Sequence, residues 1–234
     1  VKDPVSPEAV NIREIRRSYD KDTKLPRELV EEISSTTTKA QGIWQEARKK
    51  ADFSIFKDIL SKVFELNFRV AEAYGYDKDP YDALLDDYEP HATTEEVADA
   101  FAKLREDLVP FVEKIKDSGK HPDMSIIEND YDIHRQKLFA KSASAAIGFN
   151  YSIGRLDETT HPFCTGIGYG DTRILTRYNP KHFGQAFFGV IHESGHGIYE
   201  QNLKKDEYGG LPMGQSVSLG IHESQSLCWE NIVS

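Results

Sequence analysis

Apolar residues recur at helical spacing through most of the first 156 residues, and this pattern constrains the fold more strongly than any other feature of the sequence. The segment after Pro26 is typical, and its apolar positions share one helical face: Leu29, Ile33, Ala40, Ile43 and Ala47. Such an apolar face is removed from water only when another element packs against it. The sequence therefore predicts a mainly α fold in which helices pack on one another.

Capping signals divide this region into separate helices. Ser6-Pro7 is typical of an N-cap followed by a first-turn proline, and Thr93 with Glu96 matches a capping box. Pro110 is expected to kink or split the helix that follows the capping box. Three more stripes are expected to be core: Val5, Ala9, Ile12 and Tyr19; Val97, Phe101, Leu104, Leu108, Phe111 and Ile115; and Leu138, Ser142, Ala146, Phe149 and Ile153.

The residue composition of the sequence changes after Leu156. Glycines punctuate the stretch CTGIGYGD, and the β-branched and aromatic run TRILTRY follows it, which predicts one or two short strands. A helix restarts after Asn179-Pro180, and another is expected near the end of the chain. The chain thus divides into a helical portion, residues 1–156, and a glycine-rich portion, residues 157–234, where loops meet helices.

Charge and cysteine content exclude several classes of protein. Lys and Arg number 29 against 39 Asp and Glu, which gives a formal net charge of −10. Such a surface repels phosphate backbones and anionic lipid, so we expect neither nucleic acid nor a membrane as partner. Cys164 and Cys228 are too few for a disulfide framework, and we interpret them as small apolar residues. With no signal peptide in view, a cytoplasmic location is expected.

The motif HESGH, from His192 to His196, is the feature most informative about chemistry. Residues four apart on an α-helix differ by about 40° around the axis, so the two histidines can direct their imidazoles to one point. A tetrahedral zinc site needs two such ligands, and Glu193 can miss the metal while it reaches a bound water as a general base. The alternative is a pair of exposed histidines that bind no metal.

A third ligand must come from farther along the chain. Glu200 lies one turn beyond His196 on the same helix, where it would crowd the first two ligands. Glu223 lies on the next predicted helix, and a carboxylate there would complete a two-His-one-Glu site with an open fourth position. Spacing favours Glu223 over its neighbour His222, whose alternative is a supporting or structural role. Zinc suits this ligand set, as do cobalt and manganese.

Further motifs extend this pattern to nearly the whole chain. HESGH is followed by GIHESQS and WEN, and it is preceded by HPF at His161 and by DTRILTRY from Asp171 to Tyr178. The stretches RRSYD and DPYDALLDDYEP stand nearer the N-terminus. Together these motifs resemble those of the thermostable carboxypeptidase 1 family (Taq carboxypeptidase type), a group of zinc metallocarboxypeptidases.

The resemblance implies that His192, His196 and Glu223 are the metal ligands and that Glu193 is the catalytic base. It also implies an elongated, helical, zincin-like fold with a short β segment near the active site, peptide substrates with a free C-terminus, and a homodimer. Two later family motifs, Ile/Val-Arg-x-x-Ala-Asp and Gly-x-x-Gln-Asp-x-His-Trp, are absent from the chain. We therefore expect residues 1–234 to be a partial catalytic domain that is weakly active or inactive alone.

Three further residues are candidates for the substrate side of the site. His161 is interpreted as a hydrogen-bonding group for the substrate or the oxyanion, or alternatively as a turn residue before Pro162. Asp171 and Arg173 alternate with Thr172 on a predicted strand, so they share a face. They can edge the substrate cleft or form a structural ion pair.

Three classes of function remain open at this point. The first is a carboxypeptidase that removes one residue at a time from the C-terminus of a peptide. The second is a zinc endopeptidase on a different helical scaffold, which the five-residue motif alone allows. The third is a helical metal-binding or interaction module without activity, which the absent later motifs favour.

Overall fold

The computed structural model describes residues 3–233, so the predicted domain limits Val1 and Ser234 lie outside the described residues. Helices form most of the described chain, which confirms the predicted mainly α fold. They are α1 (Pro7–Asp22), α2 (Arg27–Lys50), α3 (Ser54–Tyr74), α4 (Pro80–Leu85), α5 (Thr94–Asp117), α6 (Ile133–Ala146), α7 (Phe183–Asn202), α8 (Lys205–Tyr208) and α9 (Leu219–Cys228). Within residues 3–233, no helix is long and apolar enough to cross a membrane.

Both predicted capping signals begin helices as expected. The Ser6 hydroxyl accepts a hydrogen bond from the Ala9 amide at 3.3 Å, at the start of α1. At the start of α5, the Thr93 hydroxyl accepts from the Glu96 amide at 3.2 Å, and the Glu96 carboxylate accepts from the Thr93 amide at 3.1 Å. These bonds satisfy backbone donors that a helix leaves free in its first turn, which is why local sequence fixes these ends.

A three-stranded sheet follows α6. Its strands are β1 (Gly154–Glu158), β2 (Phe163–Gly168) and β3 (Asp171–Thr176), in the order β1-β3-β2. The central strand β3 pairs in parallel with β1 and antiparallel with β2. The predicted strands correspond to β2 and β3, whereas β1 has no predicted counterpart because its sequence, GRLDE, lacks an apolar alternation.

The chain forms two compact units. One consists of residues 12–107, and the other joins residues up to Asn11 with residues from Leu108 onward. In the first unit α2 packs on α3, and Leu29, Leu66 and Val70 form the buried core. The division after residue 156, between a helical portion and the glycine-rich portion that carries the predicted metal site, stays a prediction.

Helix α7 occupies the centre of the second unit, where it packs against β3, α6 and α9. Its residues Val190 and Ile191 are buried, as is Ile174 on the facing strand β3. The close approach of α7 to Phe149 needs a glycine at position 197, because a Cβ there would lie 2.6 Å from the Phe149 ring. This packing holds the HESGH motif on a helix that is fixed on three sides.

Three stripes that were expected to be core are largely exposed. Ile12 and Tyr19 of α1 are 60% and 61% exposed, Phe101 and Phe111 of α5 are 65% and 59% exposed, and Leu138 of α6 is 55% exposed. The expectation of burial is therefore wrong for these faces. Helical spacing establishes that a face is apolar, but it does not specify which element covers that face.

Two local expectations also need correction. Helix α5 runs through Pro110 without a break, so the proline does not split it, and a kink at Pro110 stays a prediction. Helix α6 ends at Ala146, although the apolar stripe continues to Ile153. Gly148 has a φ of +111°, a conformation that ends a right-handed helix at little cost for glycine. Phe149, which follows it, is buried in the loop and not on the helix.

Asp86 closes the turn after α4 in the first unit. Its carboxylate accepts hydrogen bonds from Arg17 at 2.7 Å, from Lys21 at 3.0 Å and from the His91 amide at 3.0 Å. Burial alone would raise the pKa of this carboxyl, but the three hydrogen bonds outweigh burial and hold the pKa at about 2. The ionised form is therefore the form that stabilises the folded unit.

Replacing Asp86 with asparagine is expected to lower the free energy of unfolding by about 1–2 kcal/mol at pH 7. The folded-state pKa lies below 3.8, the ordinary value for an aspartate carboxyl. The contribution is therefore complete above that value and is lost as the pH falls through the folded pKa near 2. Urea unfolding at pH 7 and at pH 3 tests this. The exposed Asp58→Asn is the control, and an Asp86→Asn effect that is equal at both pH values would contradict the assignment.

Candidate metal centre

Helices α7 and α9 bring the three predicted ligands together. His192 and His196 project from α7, and Glu223 projects from α9. One Glu223 carboxylate oxygen lies 3.3 Å from His196 Nε2, and the other lies 3.7 Å from His192 Nε2. One ligand atom from each residue lies within 4.8 Å of the other two, and all three side chains are partly buried.

This arrangement fits a divalent metal ion. A tetrahedral zinc site with bonds of about 2.0–2.1 Å separates its ligand atoms by about 3.3 Å, close to the separations between Glu223 and the two histidines. The donors are two imidazole nitrogens and one carboxylate, which zinc accepts and which leave a fourth position open. The residues present therefore fit the metal that the sequence predicts.

Each ligand histidine uses its second ring nitrogen to contact a supporting side chain. His192 Nδ1 lies 2.8 Å from a Glu230 carboxylate oxygen. His196 Nδ1 lies 2.5 Å from His222 Nδ1, and His222 Nε2 in turn lies 3.0 Å from a Glu200 carboxylate oxygen. Contacts of this kind fix the orientation of an imidazole ring before a metal binds.

Burial shifts the titration of several groups at this centre. Burial, with the nearby His222 and His192 rings, lowers the pKa of His196, which favours the neutral imidazole that a metal requires. The hydrogen bond from His222 lowers the pKa of Glu200 to about 2 in spite of burial, and a 2.5 Å contact with Lys205 reinforces this effect. Glu200 is therefore an anion at neutral pH.

Glu193, the acid of the HESGH motif, is buried, with 6% of its surface exposed. Burial raises the pKa of its carboxyl to about 7; His192 opposes the shift and the Glu223 charge adds to it. A carboxyl with a pKa near neutrality can both accept and release a proton, which is the property that a general base requires.

The remaining candidates lie in and around the sheet. His161 stands exposed in the loop between β1 and β2, where its Nδ1 donates to the Pro162 carbonyl at 2.7 Å, and its charge influences the pKa of Glu193. Asp171 and Arg173 form a bidentate pair on β3, at 3.0 and 2.8 Å. The pair gives both charges a partner, which is the structural alternative that the sequence left open.

Cys164 and Cys228 are both free and partly buried. Burial, together with the charges of Glu193 and Glu200, raises the pKa of the Cys164 thiol to about 12. A thiol with this pKa stays protonated at neutral pH and is a poor nucleophile. This agrees with the interpretation of Cys164 as a small apolar residue.

Two acidic supporting residues have no assigned role in the sequence analysis. Glu230 follows Glu223 by two helical turns, a spacing that places both side chains near one face and that could have indicated a shared site. Glu200 was set aside as a ligand because of crowding. Its actual contact, with His222 of the neighbouring helix, depends on how α7 and α9 pack, which spacing does not provide.

The fold and the centre define a class: a helical protein in which an HExxH helix and a carboxylate from a later helix, α9, face one metal position. Comparisons with known proteins agree with this class. The family profile described as carboxypeptidase Taq (M32) metallopeptidase matches residues 2–234. The chain belongs to this family, as the motifs predict.

Relatives in the family are similar along the whole chain. The chain is 42% identical to thermostable carboxypeptidase 1 of Thermus thermophilus, with 100% of this chain and 47% of that protein covered. It is 40% identical to carboxypeptidase 1 of Bacillus subtilis, with 93% and 43% covered. The crystal structure of an M32 carboxypeptidase from Deinococcus radiodurans is 33% identical, with a TM-score of 0.88 and 99% and 46% covered. The chain thus spans about half the length of the curated relatives it matches.

Proposed function

We propose that the protein containing this chain is a zinc metallocarboxypeptidase that releases amino acids from the C-terminus of peptides. The observation that carries the proposal is the convergence of His192, His196 and Glu223 beside the buried Glu193. Membership of the family supports the choice of a peptide substrate with a free C-terminus. A homodimer and a cytoplasmic location remain predictions from the sequence.

His192, His196 and Glu223 would hold the metal, and Glu193 would move the proton. A zinc ion, when bound, supplies a Lewis acid for the peptide carbonyl and lowers the pKa of a water. The Glu193 carboxylate accepts the proton of the attacking water and delivers it to the leaving amine nitrogen. Its burial raises its pKa to about 7, a value that suits both steps.

Substrate contacts by the three sheet-side residues remain proposals. His161 keeps Nε2 free, because Nδ1 donates to Pro162, and that nitrogen is available to accept a hydrogen bond from a peptide amide. Asp171 and Arg173 would contact the substrate only through side-chain atoms that their own ion pair leaves accessible. If one of these side chains contacts the substrate, its replacement should raise KM and leave the metal content of the protein unchanged.

The decisive assay compares one peptide in two forms, with a free C-terminal carboxylate and with a C-terminal amide. The intact protein loaded with zinc is expected to release residues one at a time from the free acid and to leave the amide uncut. Mass spectrometry of the products over time measures this. Internal cleavage of both forms would indicate an endopeptidase. No cleavage of either form, with metal bound, would indicate a module without activity.

Residues 1–234 alone are expected to act far more slowly than the intact protein in the same assay. Phe188 and Leu227, on the helices α7 and α9 that carry the ligands, are 45% and 44% exposed, and such apolar surface favours self-association. Loss of a single oxyanion-stabilising donor costs about 10²–10³ in rate. Equal rates for residues 1–234 and the intact protein would contradict this expectation.

A further inference from the structure

We propose that Asn11 of α1 is a positioning residue, which holds the loop between α8 and α9 as one wall of the substrate pocket. We call this loop, residues 209–218, the α8–α9 loop. This role of Asn11 rests on the proposed function, because the pocket must hold a peptide. The contact that indicates it is one hydrogen bond, in which Asn11 Oδ1 accepts from the Met213 amide at 3.0 Å.

Asn11 is a polar residue at the buried position of α1. Within residues 7–22, all of which the structure describes, Asn11 is the one buried residue, at 8% exposed, whereas Ile12 and Tyr19 are largely exposed. A buried amide group costs free energy unless it is hydrogen-bonded, so this position depends on the bond to Met213. A backbone N–H can only donate, and its partner must therefore be the oxygen of the Asn11 side chain.

The α8–α9 loop is stiffened by hydrogen bonds within its own backbone. The amides of Leu211, Gly214 and Gln215 donate to carbonyls three residues earlier in the chain, at 2.9, 3.0 and 3.0 Å. A Cβ at Gly214 would clash with the carbonyl of Tyr208, at the end of α8, so these turns are also closely packed. The bond to Asn11 lies within the turns and therefore holds the loop as one body.

The α8–α9 loop lines a cavity of about 590 Å³, a volume in the range of about 300–1,000 Å³ that holds small ligands. Residues 164–168 of strand β2 line the same cavity, as do Glu200 and His222. His222 contacts the proposed ligand His196 at 2.5 Å, so the cavity adjoins the metal position. A peptide bound with its scissile bond at the metal can extend into this cavity.

The wall that the loop provides suits the backbone of a peptide. Gly209 and Gly210 are exposed in the cavity and carry no side chain, so their backbone amides and carbonyls stay accessible. Gln215 and Ser216 are exposed in the same wall and add side-chain donors and acceptors. These groups can recognise a peptide main chain whatever side chains the peptide carries.

The metal ligands are held separately from the loop. Helix α9 has its own cap, in which the Ser218 hydroxyl accepts from the Ile221 amide at 3.1 Å. The helix packs on α7, which carries the two ligand histidines. Loss of the Asn11 bond is therefore expected to loosen the pocket wall and to leave Glu223 in place.

Amide hydrogen exchange tests the bond without metal or substrate. In the intact, metal-free protein, mass spectrometry is expected to show residues 209–218 exchanging about 5–30-fold faster in Asn11→Leu, which has a similar volume but no acceptor. Asn11→Ala, which adds no bulk, should give the same result. Asn11→Asp keeps the oxygen and should retain slow exchange. Asn67→Leu, at an exposed position of α3, is the matched control. Unchanged exchange in both Asn11→Leu and Asn11→Ala would overturn the role of Asn11.

Peptide protection tests whether the loop is a wall of the substrate pocket. The probe is a peptide with a free C-terminus whose last amide bond is replaced by CH₂–NH, so that the zinc-loaded protein can bind it but cannot hydrolyse it. The probe is expected to slow exchange in residues 209–218 and in residues 164–168. Protection elsewhere in the protein without protection of residues 209–218 would overturn the pocket wall.

Kinetics separate a positioning role from a catalytic one. In the zinc-loaded intact protein, Asn11→Leu is expected to raise KM about tenfold, while kcat and zinc affinity change by less than about twofold. Because the wall faces the peptide backbone, the rise should be similar for peptides that end in leucine, lysine or glutamate, and Asn11→Asp should restore KM. An unchanged KM, or a tenfold loss of zinc affinity, would overturn the assignment.

Failure of the proposed function has a different signature from failure of this role. A wild-type protein that binds zinc but cleaves no free-acid peptide would refute the carboxypeptidase assignment, and with it the substrate pocket. The exchange rates of residues 209–218 in the metal-free protein would still show whether Asn11 holds the loop.

Discussion

Glu193→Gln is expected to lower kcat by about 10²–10⁴-fold in the intact protein, while the zinc content stays unchanged. Glutamine has the shape of glutamate, and Glu193 is not a ligand, so the metal position keeps its three donors. The amide, however, cannot accept the proton of the attacking water. Turnover of a free-acid peptide and zinc content are measured on the same preparation.

Glu207→Gln is the matched control for this substitution, because it makes the same chemical change at an exposed position on α8. A metal-loaded Glu193→Gln protein with near-normal kcat would remove Glu193 from the role of general base. Equal losses of kcat and of zinc would point to a structural effect, since a general base acts after the metal has bound.

The same variant also tests the burial of Glu193. Its folded-state pKa is raised from 4.5 to about 7, so the folded protein holds a proton that the unfolded chain releases. The native carboxyl therefore lowers stability above pH 7, and the penalty disappears as the pH falls below 4.5. Metal-free Glu193→Gln is expected to be more stable than the wild type at pH 8, by up to about 3 kcal/mol, and to lose this advantage toward pH 5. Thermal unfolding at both pH values measures the difference.

Sequence predicted best those features that depend on neighbouring residues. The caps at Ser6 and at Thr93 and the HESGH helix are local, because each depends on residues within one or two helical turns. Burial of the apolar faces of α1 and α5 was predicted wrongly. A helical stripe reports that a helix is amphipathic, and the element that covers it is decided by packing elsewhere in the chain.

The metal centre shows the same division between local and distant information. The i, i+4 spacing of the two histidines brings their rings together on any α-helix, and Glu223 followed from a helix-loop-helix return. The contacts of Glu200 and Glu230 did not follow, because each joins α7 to residues near or on α9. Their existence depends on the distance and the rotation between two helices, which no periodicity specifies.

The distance between α7 and α9 is set by Gly195, the fourth residue of the HESGH motif. A Cβ at this position would lie 2.6 Å from Ser226 Cα and 2.7 Å from the Gln225 carbonyl oxygen, well inside the ordinary contact range of 3.4–4 Å. Both are backbone atoms, so no side-chain rotation can relieve the clash. The helices can accommodate the methyl group only if they separate by about 1 Å, and α9 carries Glu223 with it.

Gly195→Ala is therefore expected to disrupt the metal centre although it changes no ligand. A displacement of about 1 Å can cost about 10² in rate, and overpacking costs about 1–3 kcal/mol of stability, against a gain of about 1 kcal/mol in helix propensity. Gly189→Ala is the matched control on the same helix, because its Cβ would have only an ordinary contact, 3.5 Å from Thr176 Oγ1. We expect Gly189→Ala to keep zinc affinity and stability, and Gly195→Ala to lose both. Wild-type zinc affinity in Gly195→Ala would show that Glu223 is held independently of this helix contact.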